Sequence, residues 1–123
     1  MECTIPGVYE ADDCYKLKCL YPTARKQHVC EECGRVIDVG DKYELYYGVH
    51  EGHIFCVKTC IDCKSIRDSF WPDGGYIFGS IIDALREQII YELHGEVSSK
   101  CILPLTDNAK NTIFELIEEA WAV

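Results

Sequence analysis

The sequence lacks any apolar run that approaches the roughly 20 residues needed for a membrane-spanning helix. It also lacks the apolar core of a signal peptide, because charged residues interrupt its first twenty positions, at Glu2, Glu10, Asp12, Asp13, Lys16 and Lys18. We therefore expect a cytoplasmic protein that makes no contact with a membrane.

Basic residues are scarce, with 12 Lys and Arg against 21 Asp and Glu and a net charge of −9. The imbalance is concentrated in the second half: residues 71–123 hold 3 basic and 9 acidic residues, whereas residues 1–70 hold 9 and 12. A bulk electrostatic attraction to nucleic acid needs a net basic surface, so this composition disfavours it. The acidic second half is either a solvated surface or a docking surface for a basic partner.

Recognisable catalytic motifs are missing as well. The chain has no Gly-rich phosphate loop, no nucleophile elbow and no paired acid and base. His50-Glu51-Gly52-His53 has the wrong histidine spacing for a helical zinc-protease motif and falls on a predicted turn. We therefore predict no catalytic residues and no enzymatic activity.

Cysteine, in contrast, is abundant, with nine in 123 residues. Cys30-Glu-Glu-Cys33 and Cys60-Ile-Asp-Cys63 form two C-x2-C pairs, separated by residues 34–59. Two such pairs can supply four thiolates to one tetrahedral Zn²⁺. Four thiolates also leave no open position for a catalytic water, so the site is expected to be structural.

Other uses of the cysteines stay open. A single C-x-x-C could be a redox pair, the cysteines could form disulfides, or they could pack as small apolar side chains. The remaining cysteines are Cys3, Cys14, Cys19, Cys56 and Cys101. A second metal site could combine Cys3, Cys14 and Cys19 with Cys56 or His28, but the spacing gives little support for it.

The segments around the two pairs predict an α+β fold. Gly34 allows a tight turn after the first pair, and Val36–Val39 could form a short strand. Residues 42–50 alternate in polarity and pair with residues 53–57 across a Glu51-Gly52 turn, which predicts a β-hairpin. A helix then begins at the second cysteine pair and ends before Pro72. A knuckle, a hairpin and a helix that shares the metal ligands make up a treble-clef zinc finger.

The second half of the chain predicts two amphipathic helices. Apolar residues recur at helical spacing over residues 78–94, with Gly95 at the expected C-terminal end. A second helix is expected over residues 107–121, with Thr106 or Asp107 as its N-cap. We expect the two to pair as an antiparallel hairpin against the zinc module. The predicted units are an irregular segment at 1–23, the treble-clef module at 24–72 and the acidic helical hairpin at 73–123.

One stretch also resembles known proteins. It contains Arg25-Lys26, Cys30-x2-Cys33, Ile37-x2-Gly40-Asp41-x-Tyr43, Gly48 and Thr59-Cys60-Ile61-Asp62-Cys63-x2-Ile66-Arg67. This pattern, over residues 24–70, resembles small zinc-finger-like proteins encoded by bacteriophages and prophages. The resemblance implies a four-cysteine zinc site and a location in the host cytoplasm, but no established activity. The five additional cysteines depart from the pattern.

Two functions follow as hypotheses. The first is a zinc-stabilised protein-interaction module that binds a host protein, in one version a basic protein that handles nucleic acid, and inhibits or redirects it. The second is a nucleic-acid-binding zinc-finger regulator, for which Lys16, Lys18, Arg25, Lys26 and Arg35 could form a local basic patch. In the hairpin we expect Tyr43 and Tyr47 to be packed and Tyr46 to be exposed.

Overall fold

The structure, a computed structural model, describes residues 14–72, 74 and 76–122. Its strands are β1 (Cys14–Leu20), β2 (His28–Val29), β3 (Val36–Ile37), β4 (Tyr43–His50) and β5 (His53–Cys60). Its helices are α1 (Ile61–Phe70), α2 (Ile81–Glu87), α3 (Ser99–Ile102) and α4 (Asp107–Trp121). The fold is therefore α+β, as the sequence predicts. Among the described helices, none combines the length and the apolar character that a membrane crossing needs.

The two antiparallel sheets are small. Strands β1, β4 and β5 form one sheet in the order β1-β4-β5, and β2 and β3 form the other. The predicted β4–β5 hairpin is confirmed, with Tyr43 opposite Cys60 and His50 opposite His53. Strand β1 differs from the prediction of an irregular segment over residues 1–23, because residues 14–20 pair with β4. The first 13 residues of that predicted segment lie outside the described part.

The two faces of the larger sheet differ. On the inner face, the rings of Tyr46 and Phe55 pack with Phe78, which comes from the segment before α2. The expected exposure of Tyr46 is therefore wrong: this half-buried ring contacts the helical half of the molecule. Gly48 lies beneath this aromatic cluster, where a Cβ would collide with the Phe55 ring. Tyr43 is buried as predicted, and Tyr47 is half-buried on the outer face.

The helical half begins later than the sequence predicts. Helix α2 starts at Ile81, because Gly79 adopts a positive φ of 88° and Phe78 joins the aromatic cluster. It continues into a π-helical segment, Gln88–Glu92, and the chain turns at Gly95, where the helix end is predicted. Helix α4 has its predicted bounds, and Thr106 is its N-cap, with its hydroxyl accepting from Ala109 N.

Helix direction differs from the expected antiparallel hairpin. The N-terminus of α2 contacts Glu32, and Thr106 at the N-terminus of α4 contacts Asp62, so both helices begin near the two cysteine pairs. At the other end, Gly95 lies against the Trp121 ring. The α2–π segment and α4 therefore run in the same general direction. Residues 93–106, which include α3, are long enough to return the chain to its starting side.

A buried ion pair joins the sheet to α1. Arg67 donates two hydrogen bonds to the carboxylate of Glu44, and both side chains are almost fully buried, at 8% and 1% exposed. The Tyr21 hydroxyl also donates to Glu44. Burial alone would lower the pKa of Arg67, but the hydrogen bonds and the charge of Glu44 raise the pKa above its usual value. Each charge of the pair therefore has a matched partner inside the protein.

This ion pair generates a stability prediction. The variant Arg67→Met leaves the Glu44 carboxylate buried without a counter-ion, so we expect a loss of about 3–5 kcal/mol in the free energy of unfolding. The double variant Glu44→Leu/Arg67→Met removes both charges and should recover most of that loss. Urea denaturation of the metal-loaded protein measures both values.

The control is Arg86→Met, which breaks the exposed pair between Arg86 and Glu119. An exposed pair contributes about 0–1 kcal/mol, so this variant should remain near the wild-type stability. If Arg67→Met and the double variant were equally unstable, an uncompensated charge would not be the cause.

Candidate metal centre

The four cysteines of the two predicted pairs come together in space. Cys30 and Cys33 lie on the turn between β2 and β3, Cys60 ends β5, and Cys63 lies in the first turn of α1. Their Sγ atoms all lie within 4.8 Å of one another, close enough to bind a metal ion. This is the one cluster of potential metal ligands found among the described residues.

The sulfur geometry matches a tetrahedral ion. Zn–S bonds of about 2.3 Å at tetrahedral angles place the sulfur atoms about 3.8 Å apart. The Sγ atoms of Cys33 and Cys60 are 3.9 Å apart. Cys30, Cys60 and Cys63 are buried, at 1%, 3% and 3% exposed, whereas Cys33 is exposed and lines a cleft of about 380 Å³. Of the four cysteines, Cys33 is thus the one that is exposed to solvent.

Backbone N–H groups are directed at the sulfurs. The Cys30 Sγ accepts from Glu32 N at 3.4 Å and from Cys60 N at 3.3 Å, and the Cys60 Sγ accepts from Cys63 N at 3.4 Å. The last of these bonds makes Cys60 the N-cap of α1. Gly34, with φ of 76°, allows the turn that brings its N–H to the Cys30 carbonyl. Such N–H groups stabilise negative charge on sulfur, which favours the thiolate form that binds metal.

The pKa values of the buried thiols show how tightly they are coupled. Hydrogen bonds from the Cys60 and Cys63 thiols lower the pKa of Cys30 well below its usual value. The hydrogen bond to Cys30, helped by burial, raises the pKa of Cys60 to about 12, although the hydrogen bond with Cys63 opposes the rise. Hydrogen bonds with Cys30 and Cys60 raise the pKa of Cys63 strongly. In the absence of a cation, the buried sulfurs therefore share negative charge unequally. Four thiolates this close together need a cation to offset their repulsion.

The two glutamates between Cys30 and Cys33 connect the turn to its surroundings. Glu31 exchanges two hydrogen bonds with the backbone of Lys58 in β5: its N–H donates to the carbonyl and its Oε2 accepts from the N–H at 2.6 Å. Glu32 Oε1 accepts from Gly79 N at 2.9 Å and from Ile81 N at 3.2 Å, which caps the start of α2. Burial raises the pKa of Glu32, while these two N–H donors oppose the rise.

Asp62, between Cys60 and Cys63, makes the corresponding connection to α4. Its Oδ1 accepts a hydrogen bond from the Thr106 hydroxyl at 2.6 Å. Its Oδ2 forms an ion pair with Arg35, which lies in the turn between β2 and β3. Ser65 in the next turn accepts from Thr106 N at 3.4 Å. The N-termini of α1, α2 and α4 therefore all lie beside the four sulfurs. Their positive ends favour a centre that carries a formal charge of about −2 when Zn²⁺ binds four thiolates.

The roles of Glu31, Glu32 and Asp62 are not predictable from local sequence patterns, because their partners lie far away in the chain. Their position inside the C-x2-C pairs is the one sequence signal that points to them. His50 and His53 are exposed at the β4–β5 turn. Neither belongs to the sulfur cluster.

The other cysteines whose side chains the structure describes do not join this cluster. Cys19 is half-buried and contacts the Tyr21 hydroxyl, and Cys56 is exposed. Cys101 is fully buried in the helical core and is disulfide-bonded. Of the predicted second metal site, Cys3 and the Cys14 side chain lie outside the described part.

The sulfur cluster predicts a selective effect of serine substitution. Cys33→Ser removes one of four ligands, so we expect the bound metal to fall from about one ion per chain to a small fraction. Because the ligands join the β2–β3 turn to α1, the melting temperature should also fall. Elemental analysis and thermal unfolding measure the two effects.

The matched control is Cys56→Ser, an exposed cysteine outside the cluster. It should keep both the metal content and the melting temperature of the wild type. Equal metal content in Cys33→Ser and wild type would exclude the four-sulfur site.

The cap on α2 gives a separate prediction. Glu32→Ala removes the acceptor for the N–H groups of Gly79 and Ile81, and should cost about 1 kcal/mol of unfolding free energy. The metal content should stay unchanged, since all four sulfurs remain. Amide hydrogen exchange should accelerate at Gly79 and Ile81. The control Glu87→Ala removes an exposed carboxylate of α2 and should leave those two amides protected; if both variants behaved alike, the cap would have no special role.

Comparisons with known proteins give no family. Searches against protein-family models, curated proteins and solved structures found no match to this chain. The resemblance to phage and prophage zinc-finger-like proteins thus stays a prediction. What supports a metal centre is the position of four sulfur atoms that the sequence pattern had already paired.

Proposed function

We propose that the chain is a zinc-stabilised protein-interaction module in which a treble-clef zinc site orders an acidic helical surface. The observation that carries the proposal is the closed cluster of four cysteine sulfurs within 4.8 Å of one another. Zn²⁺ is the ion that such a tetrahedral thiolate set favours. Four protein ligands leave the ion no position for a substrate or a catalytic water, so its contribution is to the fold.

The connections around the cluster support a role in ordering the helices. Glu32 and Asp62, each adjacent to a metal-binding cysteine, hold the N-termini of α2 and α4. A bound ion would fix these two residues and, through them, the surface that the helices present. The core of a module of this size supplies only part of the stabilisation that folding needs, and a bound metal would supply the rest.

The resemblance to phage-encoded proteins suggests the kind of partner. In that setting the partner is a protein of the host, whose activity the module inhibits or redirects. The net charge of −6 on residues 71–123, from 3 basic and 9 acidic residues, favours a basic partner.

Metal dependence tests this function. The full chain, tagged and zinc-loaded, is incubated with a lysate of bacterial cells, and captured proteins are identified by mass spectrometry. We expect one protein to be enriched in stoichiometric amount by the wild type and by Cys56→Ser, and to be lost with Cys33→Ser, because only the last variant disrupts the metal centre. If no protein were enriched, or if Cys33→Ser captured it equally well, the proposed function would be wrong.

A second candidate, nucleic-acid binding, is favoured by the outer face of the larger sheet. Lys18 and Lys58 flank Tyr47 and Leu45 there, and Lys18 Nζ lies 5.4 Å from the centre of the Tyr47 ring. Aromatic rings beside cations are typical of single-strand binding surfaces. Arg35, in contrast, is paired with Asp62, so the basic patch predicted from Lys16, Lys18, Arg25, Lys26 and Arg35 loses one free charge.

Fluorescence anisotropy with labelled single-stranded DNA and RNA distinguishes the two functions. Binding that weakens steeply with salt and is lost in Lys18→Gln/Lys58→Gln would favour the second candidate. No binding even at low salt would remove it.

A further inference from the structure

The exposed face of α4 combines two aromatic rings with carboxylates. Ala109, Ile113, Leu116 and Ile117 point into the helical core, so the opposite side of the helix faces solvent. There Phe114 is 48% exposed and Trp121 is 68% exposed, seven residues apart and therefore two turns along one side. Glu118 is exposed between them, four residues after Phe114 and three before Trp121, and Glu115 is exposed one turn before Glu118. We call these four residues the α4 face.

Trp121 is held in place despite its exposure. Its indole lies directly against Gly95, where a Cβ would collide with the ring, and Ala120 borders the same spot. One side of the ring is therefore fixed against backbone while the other is open. A ring that is already positioned loses little conformational entropy when a partner covers it, which is typical of interface anchors.

The carboxylates of the α4 face, together with the neighbouring Glu119, destabilise the C-terminal end of the helix. Glu115, Glu118 and Glu119 lie within the last two turns, where the negative end of the helix dipole lies, and the last turn has no basic residue. Glu119 pairs with Arg86, but among the described residues neither Glu115 nor Glu118 forms an ion pair. Like charges at spacings of three and four repel each other on a helix. A positive partner would relieve this repulsion.

From this complementarity we infer that the α4 face is the docking site for an arginine-rich segment of a protein partner. A guanidinium group can stack on an aromatic ring and pair with a carboxylate at the same time, and the α4 face offers both within two turns. Arginine suits this surface better than lysine because its planar group can do both. The inference rests on the proposed interaction function and specifies the surface and the chemistry of its partner.

The test uses the full zinc-loaded chain and a defined probe. The probe is a synthetic amphipathic helical peptide with four arginines on one side, and its control carries neutral citrulline at those four positions. In ¹H–¹⁵N NMR spectra, the arginine peptide should shift the Trp121 indole N–H and the α4 amides. The indole of Trp71, which is 3% exposed, serves as an internal reference that should not move.

Matched variants locate the binding. Glu115→Gln/Glu118→Gln and Trp121→Ala should each weaken peptide binding by about fivefold or more, as expected when central anchors are removed. Glu87→Gln/Glu92→Gln makes the same change in net charge at two other exposed positions and should bind as the wild type does.

Several outcomes would overturn the inference: equal binding of the two peptides, equal loss in both double variants, or shifts centred away from α4. Sedimentation showing a dimer that dissociates with Trp121→Ala would assign the face to a second copy of the chain instead. If the peptide failed while zinc-dependent capture of a host protein persisted, the surface would be wrong and the proposed function would stand. If the peptide bound the α4 face and no host protein were captured, the assignment of the surface would stand and the proposed function would be wrong.

Discussion

Repulsion between four sulfur atoms is the constraint on which the rest of this structure depends. Thiolates within 4.8 Å of one another repel, and a cation bound among them would turn that repulsion into a link between the two cysteine pairs. The link joins parts of the chain that are 27 residues apart, Cys33 and Cys60. Because Glu31, Glu32 and Asp62 lie between the ligands, the same link would also hold β5 at Lys58 and the N-termini of α2 and α4. The metal site and the helical half are thus a single mechanical unit.

Local pattern was sufficient to predict much of this architecture. The C-x2-C spacing paired the four cysteines, the alternation around Glu51-Gly52 predicted the β4–β5 hairpin, and the apolar stripe with Thr106 as its cap predicted the bounds of α4. Each of these signals lies within a short stretch of chain. Interactions between distant residues were not predictable in this way. Nothing near Glu44 indicates that Arg67 will neutralise it, and nothing near Glu32 indicates that Gly79 will donate to it.

The direction of the helices was likewise not predictable from local sequence patterns. Two amphipathic helices with a short apparent connector favour an antiparallel pair, but residues 93–106 include α3 and return the chain to the metal side. Parallel neighbours usually repel through their aligned dipoles, and here the positive ends face a centre of negative charge. The carboxylates of Glu32 and Asp62 lie between the ion site and those helix ends, and compensate them locally. The helix direction is therefore accompanied by contacts between distant parts of the chain, which no single segment contains.

Unequal exposure of the four sulfurs has a kinetic consequence. Cys30, Cys60 and Cys63 are almost fully buried, whereas Cys33 is the exposed member of the set in the cleft that Cys60, Cys63, Arg35 and Asp83 also line. A competing chelator would reach a bound ion most easily at Cys33, so Cys33 would be the first of the four ligands to exchange. The lifetime of a bound ion would then depend on the rate of ligand exchange at Cys33, whereas its equilibrium affinity would reflect all four ligands.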